Sequence, residues 1–251
     1  MVWVEMGIDI ESQLIIVGIF LFAVIVQTVA GFGLGIVSLP LLIPMLGIRT
    51  AAPIVASVNL IAIALIFIRY RRSFQLRATK PLLIAGALGV PLGVWGVINI
   101  PEVYTLTALG FLIFGYSLYA FFTPQVPQIN HPAWGYGLGF VSGICGGAYN
   151  SSGPASVLYA HSQRWPQETF KSNLQGYFII NSLIINITHA LSNNYTPAVL
   201  SGFLLAIPGI AFGMLIGFAL SKRVNAERFR KLILAMLFIL GIRLVMTHLN
   251  F

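Results

Sequence analysis

Long apolar segments with few charges fill most of this sequence, and they restrict the possible folds more than any other feature. Segments near residues 51–68, 103–122, 172–191 and 198–220 approach or reach the roughly 20 residues that a helix needs to cross a bilayer. Only 8% of the residues are charged, against about 25% in soluble domains. We therefore expect an all-α, polytopic transmembrane helical bundle, and we exclude a water-soluble globule.

The chain divides into two halves with the same order of apolar segments. We predict a first transmembrane repeat over residues 1–122, a connector over 123–132 and a second repeat over 133–251, all within one integral membrane domain. In each half a short, broken pair of helices precedes three longer segments, as in the internal repeats of many transporters. The matching positions are a glycine, a serine and a proline at equal spacing: Gly33, Ser38 and Pro40 against Gly147, Ser152 and Pro154.

The basic residues indicate that the second repeat is inverted relative to the first. With five segments in each half, the loops 69–80, 161–171 and 222–231 lie on one side of the membrane. They hold five, two and five of the 14 Lys and Arg residues, with Arg49 and Arg243 as the exceptions. Basic loops are typical of the cytoplasmic side. The charge pattern leaves open whether each broken pair crosses fully or is re-entrant.

The run from residue 143 to 159 is unusually rich in glycine and polar residues for so apolar a chain. Ser152 or Gly153 can cap a helix, and Pro154 suits its first position. We interpret the run as a helix broken within the bilayer, whose positive N-terminal end faces an anion. The alternative is that these residues only satisfy a backbone kink. The predicted substrate-binding residues here are Gly146, Gly147, Asn150, Ser151, Ser152 and Gly153.

Further candidate binding residues come from the first break and from two polar positions within the longer segments. The first break contributes Gly31, Gly33, Gly35 and Ser38. Gln175 begins a polar face that continues through Ser182, Asn186 and His189, and such a face points to the bundle interior or a water-filled path. For Ser182 and Asn186, hydrogen bonding between helices is an equally good interpretation. We predict that Gln175 and Asn59 join the site.

Acidic side chains are missing from the predicted spans, and this favours an anion as the ligand. No Asp or Glu lies within a predicted span, so the usual carboxylate cation site or proton relay is absent. Amides, hydroxyls and backbone N–H groups suit an anion better. We predict no catalytic residue, no metal site, no cofactor and no nucleic-acid partner. Proton coupling and oligomeric state stay open.

Both glycine-rich breaks resemble those of the TauE/SafE family of sulfite-exporter-like permeases. The likeness rests on Gly31-Phe-Gly-Leu-Gly with Ser38-Leu-Pro-Leu-Leu, and on the glycines of 143–147 followed by Asn150-Ser-Ser-Gly-Pro-Ala and Tyr159. The resemblance implies an all-helical bundle of inverted repeats that moves small sulfur-containing anions such as sulfite or organosulfonates.

We therefore predict a permease of the bacterial inner membrane whose partners are a small anionic substrate and the lipid bilayer. It would work by alternating access around the two broken helices. A channel for anions or small solutes is one alternative. An intramembrane serine hydrolase, with Ser152 as nucleophile and His189 as base, is another, and it requires these two side chains in hydrogen-bond contact.

Overall fold

The computed structural model describes residues 9–122, 128, 131–221, 223 and 226–249, with the side chains of Gln167, 226–230 and 247–249 left out. Within these ranges the chain is helical and forms no strand, which confirms the all-α prediction. The helices are α1 (Ile10–Ala30), α2 (Leu34–Leu46), α3 (Ile48–Tyr70), a short 3₁₀ helix (Arg71–Ser73), α4 (Leu76–Asn99), α5 (Glu102–Phe122), α6 (Ala133–Tyr149), α7 (Gly153–Ser162), α8 (Gln167–Leu191), α9 (Pro197–Leu220) and α10 (Ala226–Leu249).

Helices long and apolar enough to cross a membrane confirm an integral, multi-pass membrane protein. Six stretches of the described chain meet this criterion: α1, α3 with its 3₁₀ extension, α4, α5, most of α8, and α9. Large apolar side chains such as Leu88, Leu204 and Leu215 remain more than 60% exposed on the outside of the bundle. Lipid tails cover such side chains favourably, whereas water does not.

The helix α3 lies at the centre of the bundle, and α1 and α9 lie at its periphery. The most apolar window of α3 is 61% buried, against 33% for those of α1 and α9. The main apolar core packs around α3 and α2, with Ile54 of α3, Leu39 of α2 and Phe20 of α1 fully enclosed. The most central helices are therefore the short α2 and the helix that follows it directly.

Two helix pairs pack so closely that only glycine fits at their contacts. On α6, a Cβ added to Gly143 or Gly147 would overlap the backbone of α4 at Gly86 or Val90. On α9, a Cβ at Gly213 would lie 2.9 Å from the Leu21 carbonyl oxygen of α1. Small residues permit this approach, which provides van der Waals contact where lipid offers no hydrophobic driving force between helices.

The Gly-Ser-Pro spacing that the sequence shares between its halves does not mark equivalent structural positions. Pro154 stands at the start of α7, whereas Pro40 lies within α2. Gly33 precedes a helix, whereas Gly147 lies inside α6, which its packing on α4 keeps helical up to Tyr149. The breaks themselves are residues 31–33 between α1 and α2 and residues 150–152 between α6 and α7. The sequence alignment of the two halves was therefore wrong in register.

Charged residues distinguish the two ends of the bundle. At one end, the Lys171 ammonium of α8 lies 5.5 Å from the Tyr70 ring centroid at the end of α3. We call this the basic end. At the opposite end, Glu102 Oε1 accepts a hydrogen bond from the Ile48 N–H (3.2 Å), and the Arg49 guanidinium donates to the Ile98 carbonyl (2.8 Å).

Candidate functional site

The first break is a backbone turn of glycines that two glutamine side chains hold in place. Gly31 and Gly33 have φ angles of +85° and +113°, a region that residues with a Cβ rarely adopt. Gln27 Oε1 accepts a hydrogen bond from the Leu34 N–H at the start of α2 (3.0 Å). Gln175 Nε2 of α8 donates to the Gly31 carbonyl (2.7 Å). These bonds satisfy backbone groups that the interrupted helix cannot pair.

The second break turns at Asn150, which has a φ of +50° and is 5% exposed. Asparagine tolerates this left-handed conformation better than most residues. Its Nδ2 donates to the Ala52 carbonyl of α3 (2.9 Å), which ties the break to the central helix.

Ser152 is held by a network of buried side chains from three helices. Its carbonyl accepts hydrogen bonds from Ser142 Oγ and Ser156 Oγ, both at 2.6 Å, and Tyr177 Oη donates to Ser142 Oγ (2.8 Å). Asn181 Nδ2 donates to Ser152 Oγ (2.6 Å). Because the hydroxyl oxygen already accepts this bond, its own proton remains available to a ligand.

The two breaks touch each other. A Cβ added to Gly35, in the first turn of α2, would overlap the Asn150 carbonyl and lie 2.7 Å from the Tyr149 carbonyl oxygen. A Cβ at Gly153 would lie 2.9 Å from the Phe32 ring. The starts of α2 and α7 are therefore brought side by side in the middle of the bundle.

A small polar cavity, the central cavity, lies where the two breaks meet α3 and α8. The volume open to the centre of a water molecule is about 20 Å³, enough for roughly one water. Among the residues that the structure describes, no charged side chain lines it. Asn59 Oδ1, Asn150 Oδ1 and Ser182 Oγ in its wall have no hydrogen-bond partner among the described residues. Its lining residues are Gln27, Phe32, Gly33, Asn59, Ile63, Asn150, Ser152, Gly153, Phe178, Ser182 and Ile185.

A larger pocket of about 160 Å³, the basic-end pocket, lies on the other side of Phe32. Lys171, Gln175 and Gly31 line it, and Phe32 lines both this pocket and the central cavity. The Phe32 ring packs edge to face on Tyr116, with 6.2 Å between the ring centroids. One aromatic side chain thus contributes to the wall of both spaces.

A cluster of polar side chains joins α3 and α8 one helical turn from the central cavity. It lies on the side of the cavity that faces away from the basic end. Tyr195 Oη donates to Asn186 Oδ1 (2.5 Å), and Ser57 Oγ lies 3.3 Å from Tyr195 Oη. Asn186 Nδ2 also donates to the Ala56 carbonyl (3.1 Å). Asn186 therefore bonds between helices, one of the two interpretations open for it.

The structure brings together some of the predicted binding residues and separates others. Those that line the central cavity are Gly33, Asn59, Asn150, Ser152 and Gly153. Those that line the basic-end pocket instead are Gly31 and Gln175.

The remaining predicted residues lie outside both spaces. Gly35 forms the contact between the breaks, and Gly146 packs against Ser152 Oγ from behind. Gly147 packs against α4, where a side chain would overlap Val90. Ser38 donates to the Leu34 carbonyl within α2 (2.7 Å), and Ser151 is buried without lining the cavity.

Sequence reasoning missed Gln27 and Phe32 as cavity residues. Gln27 is a buried amide within an apolar span, one turn before a glycine break, and that signal could have identified it. Ser182 also lines the cavity, although hydrogen bonding between helices was an equal interpretation. Phe32 carries no comparable signal, because an aromatic residue in an apolar span is ordinary.

The Ser152–His189 pair required by the hydrolase alternative is not formed in this structure. Ser152 Oγ is bonded to Asn181, and His189 Nδ1 lies 2.9 Å from Asn194 Nδ2.

Comparison with known protein families gives a match to nearly the whole chain. The family model described as "Sulfite exporter TauE/SafE" matches residues 15–244, which covers both breaks and every helix that lines the cavity. No match to a curated protein or to a solved structure was found.

Proposed function

The chain belongs to the sulfite exporter TauE/SafE family, and from this premise we propose that it is a permease for small sulfur-containing anions such as sulfite or organosulfonates. The family match confirms the resemblance carried by the glycine-rich breaks, and it supports a membrane transporter for a small solute. We place this permease in the bacterial inner membrane, with its basic end toward the cytoplasm, because basic loops are retained on that side.

The observation that carries this proposal is the composition of the central cavity. The N-terminal ends of α2 and α7 both open onto it, at Gly33 and Gly153. Each such end bears roughly half a positive charge, which favours an anion. The Ser152 hydroxyl adds a donor. A second, independent sign of a ligand is that three buried polar atoms in the cavity wall are unpaired.

Transport requires the central cavity to open alternately to the two sides, since it holds about one water as it stands. We propose that Phe32 closes it toward the basic end, and that the Ser57, Asn186 and Tyr195 cluster closes it toward the opposite end. Each closure is a small set of side chains between helices that can move apart. Substrate would reach Phe32 through the basic-end pocket, where Lys171 attracts anions.

We further propose that the two halves, 1–122 and 133–251, are inverted repeats around this cavity. In such a repeat, the five helices α1 to α5 correspond in order to α6 to α10. Replacing each helix by its counterpart converts the α1–α9 contact into the α6–α4 contact and leaves the α3–α8 and α5–α10 contacts unchanged. All four contacts occur. One contact at each end of the bundle supports a re-entrant path for each broken pair. The chain leaves α2 at the end opposite the basic one, where the Ile48 N–H donates to Glu102. The start of α6 lies near the start of α4, where Gly135 packs on Pro81.

Counterflow of labelled sulfite in proteoliposomes tests this function. A carrier accelerates uptake of external label when unlabelled sulfite is trapped inside, and Ser152→Ala should reduce that uptake at least tenfold. Ser201→Ala is the matched control, because its hydroxyl bonds only within α9. Flux without counterflow would favour the channel alternative, and no flux of any sulfur oxyanion would contradict the proposal.

A further inference from the structure

Asn150 lines the central cavity, and its side chain carries a hydrogen-bond acceptor that no described residue pairs. Its Nδ2 donates to the Ala52 carbonyl (2.9 Å), while its Oδ1 is buried without a partner. A carbonyl oxygen can only accept, so the amide cannot turn its nitrogen toward the cavity without losing the bond to Ala52. Like Asn59 Oδ1 in the same wall, Asn150 Oδ1 therefore needs a donor that an occupant of the cavity can supply.

The positive charge available to an occupant amounts to about one unit. The ends of α2 and α7 supply roughly half a charge each, and in the described part of the chain no Lys, Arg or His lines the cavity. A second negative charge on the ligand would remain without a counter-charge in a buried site, which is costly. The charge balance thus favours a ligand with a single negative charge, and the unpaired acceptor favours one that carries a hydrogen-bond donor.

Resting on the proposed function, we propose that the central cavity selects a singly charged oxyanion that retains one O–H or N–H donor. For sulfite this is hydrogensulfite rather than the dianion. Asn150 Oδ1 accepts the ligand's hydrogen bond, and the Ser152 hydroxyl donates to one of its anionic oxygens. In the empty cavity a water can donate to Oδ1, and a ligand that cannot replace this bond binds more weakly.

The protein's own titratable groups lie outside the cavity wall. Of the helices packed around Asn150, α2 has no titratable residue, and the titratable residues of α3 lie near its two ends. None of these groups lines the central cavity. On the packed elements they are Arg49, Arg69 and Tyr70 of α3, Tyr136, Cys145 and Tyr149 of α6, Tyr159 and His161 of α7, and Glu168, Lys171, Tyr177 and His189 of α8.

Two sulfonates that differ in one hydroxyl test the acceptor directly. Isethionate and ethanesulfonate are both monoanions, but only isethionate has an O–H to donate. We expect the purified protein to bind isethionate roughly tenfold more tightly, as measured by calorimetry, because ethanesulfonate leaves Asn150 Oδ1 unpaired. The small cavity favours the smaller ethanesulfonate, so ligand size alone predicts the opposite result.

A pH series with sulfite tests the charge. Total sulfite should bind progressively more weakly as the pH rises and hydrogensulfite becomes the dianion. Ethanesulfonate keeps its charge over this range and serves as the control for titration of the protein. Its affinity should stay constant within about twofold.

The matched variants are Asn150→Gly and Asn193→Gly. Both positions have positive φ, +50° and +55°, so glycine preserves the backbone at each. Asn150→Gly should abolish the preference for isethionate over ethanesulfonate, whereas the exposed Asn193→Gly should keep it. If Asn150→Gly does not fold, the two wild-type measurements still decide.

Equal binding of the two sulfonates, or sulfite binding that strengthens as the dianion forms, would overturn this inference and leave the anion permease intact. Failure of every anion to bind at any pH would overturn the proposed function as well.

Discussion

The two breaks interrupt a helix in the same bundle but are stabilised by opposite means. The first, at residues 31–33, consists of backbone that only glycine adopts easily, and its polar groups pair with Gln27 and Gln175. The second, at 150–152, supplies its own polar side chains, which pair with α3, α6 and α8. We therefore expect the first break to be sensitive both to added bulk and to the loss of its glutamine bonds, and the second to be sensitive to lost hydrogen bonds.

The contact between the breaks gives the largest expected effect. Gly35→Val places a branched side chain against the Asn150 and Tyr149 carbonyls, and overpacking of this kind typically costs roughly 1–3 kcal/mol, with more where backbone is in the way. Transport should be lost and the melting temperature should fall. The control is Gly115→Val on α5, where a Cβ meets nothing within 4 Å. Equal melting temperatures for the two variants would contradict the contact.

The aromatic residue of the first break should control access rather than stability. Phe32→Ala removes the ring between the central cavity and the basic-end pocket. We expect sulfite efflux from proteoliposomes to become several-fold faster and to lose its dependence on counter-substrate. Phe111→Ala on the exposed face of α5 is the control. A Phe32→Ala variant that retains tight counterflow would show that the closure lies elsewhere.

The glutamine that supports the first break should matter through one buried hydrogen bond. Gln175→Leu leaves the Gly31 carbonyl without its donor, and an unpaired buried polar group costs roughly 1–3 kcal/mol. Thermal unfolding in detergent measures the loss. Thr188→Ala, which removes a bond internal to α8, should cost clearly less. Similar losses for both variants would mean that the first break does not depend on Gln175.

Within the hydrogen-bond network around Ser152, the bond from Tyr177 to Ser142 is one step removed from Ser152 and gives the smallest expected effect. Tyr177→Phe removes only the hydroxyl that donates to Ser142 Oγ (2.8 Å), for a cost of about 1 kcal/mol. Sulfite affinity should fall by less than about fivefold, because Ser152 keeps its bonds to Asn181 and Ser156. Tyr136→Phe, at a half-exposed tyrosine, is the control. A larger loss than that of Ser152→Ala would reverse the assigned order of importance.

The site was predictable where a polar residue stands out from apolar surroundings. Asn150 and Ser152 were identified in this way, and both line the cavity. Ser38 and Gly147 fit the same sequence pattern but serve helix structure and packing. A glycine that approaches a ligand and one that approaches another helix have the same sequence signature, because both positions require only the absence of a side chain.

The sequence by itself determined the helical, membrane-spanning class, since buried backbone in lipid must pair within its own helix and apolar length is a local property. It also determined that the chain is interrupted at two places, one marked by glycines and the other by polar residues that follow a glycine-rich stretch. Only the tertiary structure decided which residues share the central cavity. Gln27, Asn59 and Ser182 come from three helices and Asn150 from the second break, and their convergence depends on how α1, α3, α6 and α8 pack. That packing is set by non-local contacts, which no single segment encodes.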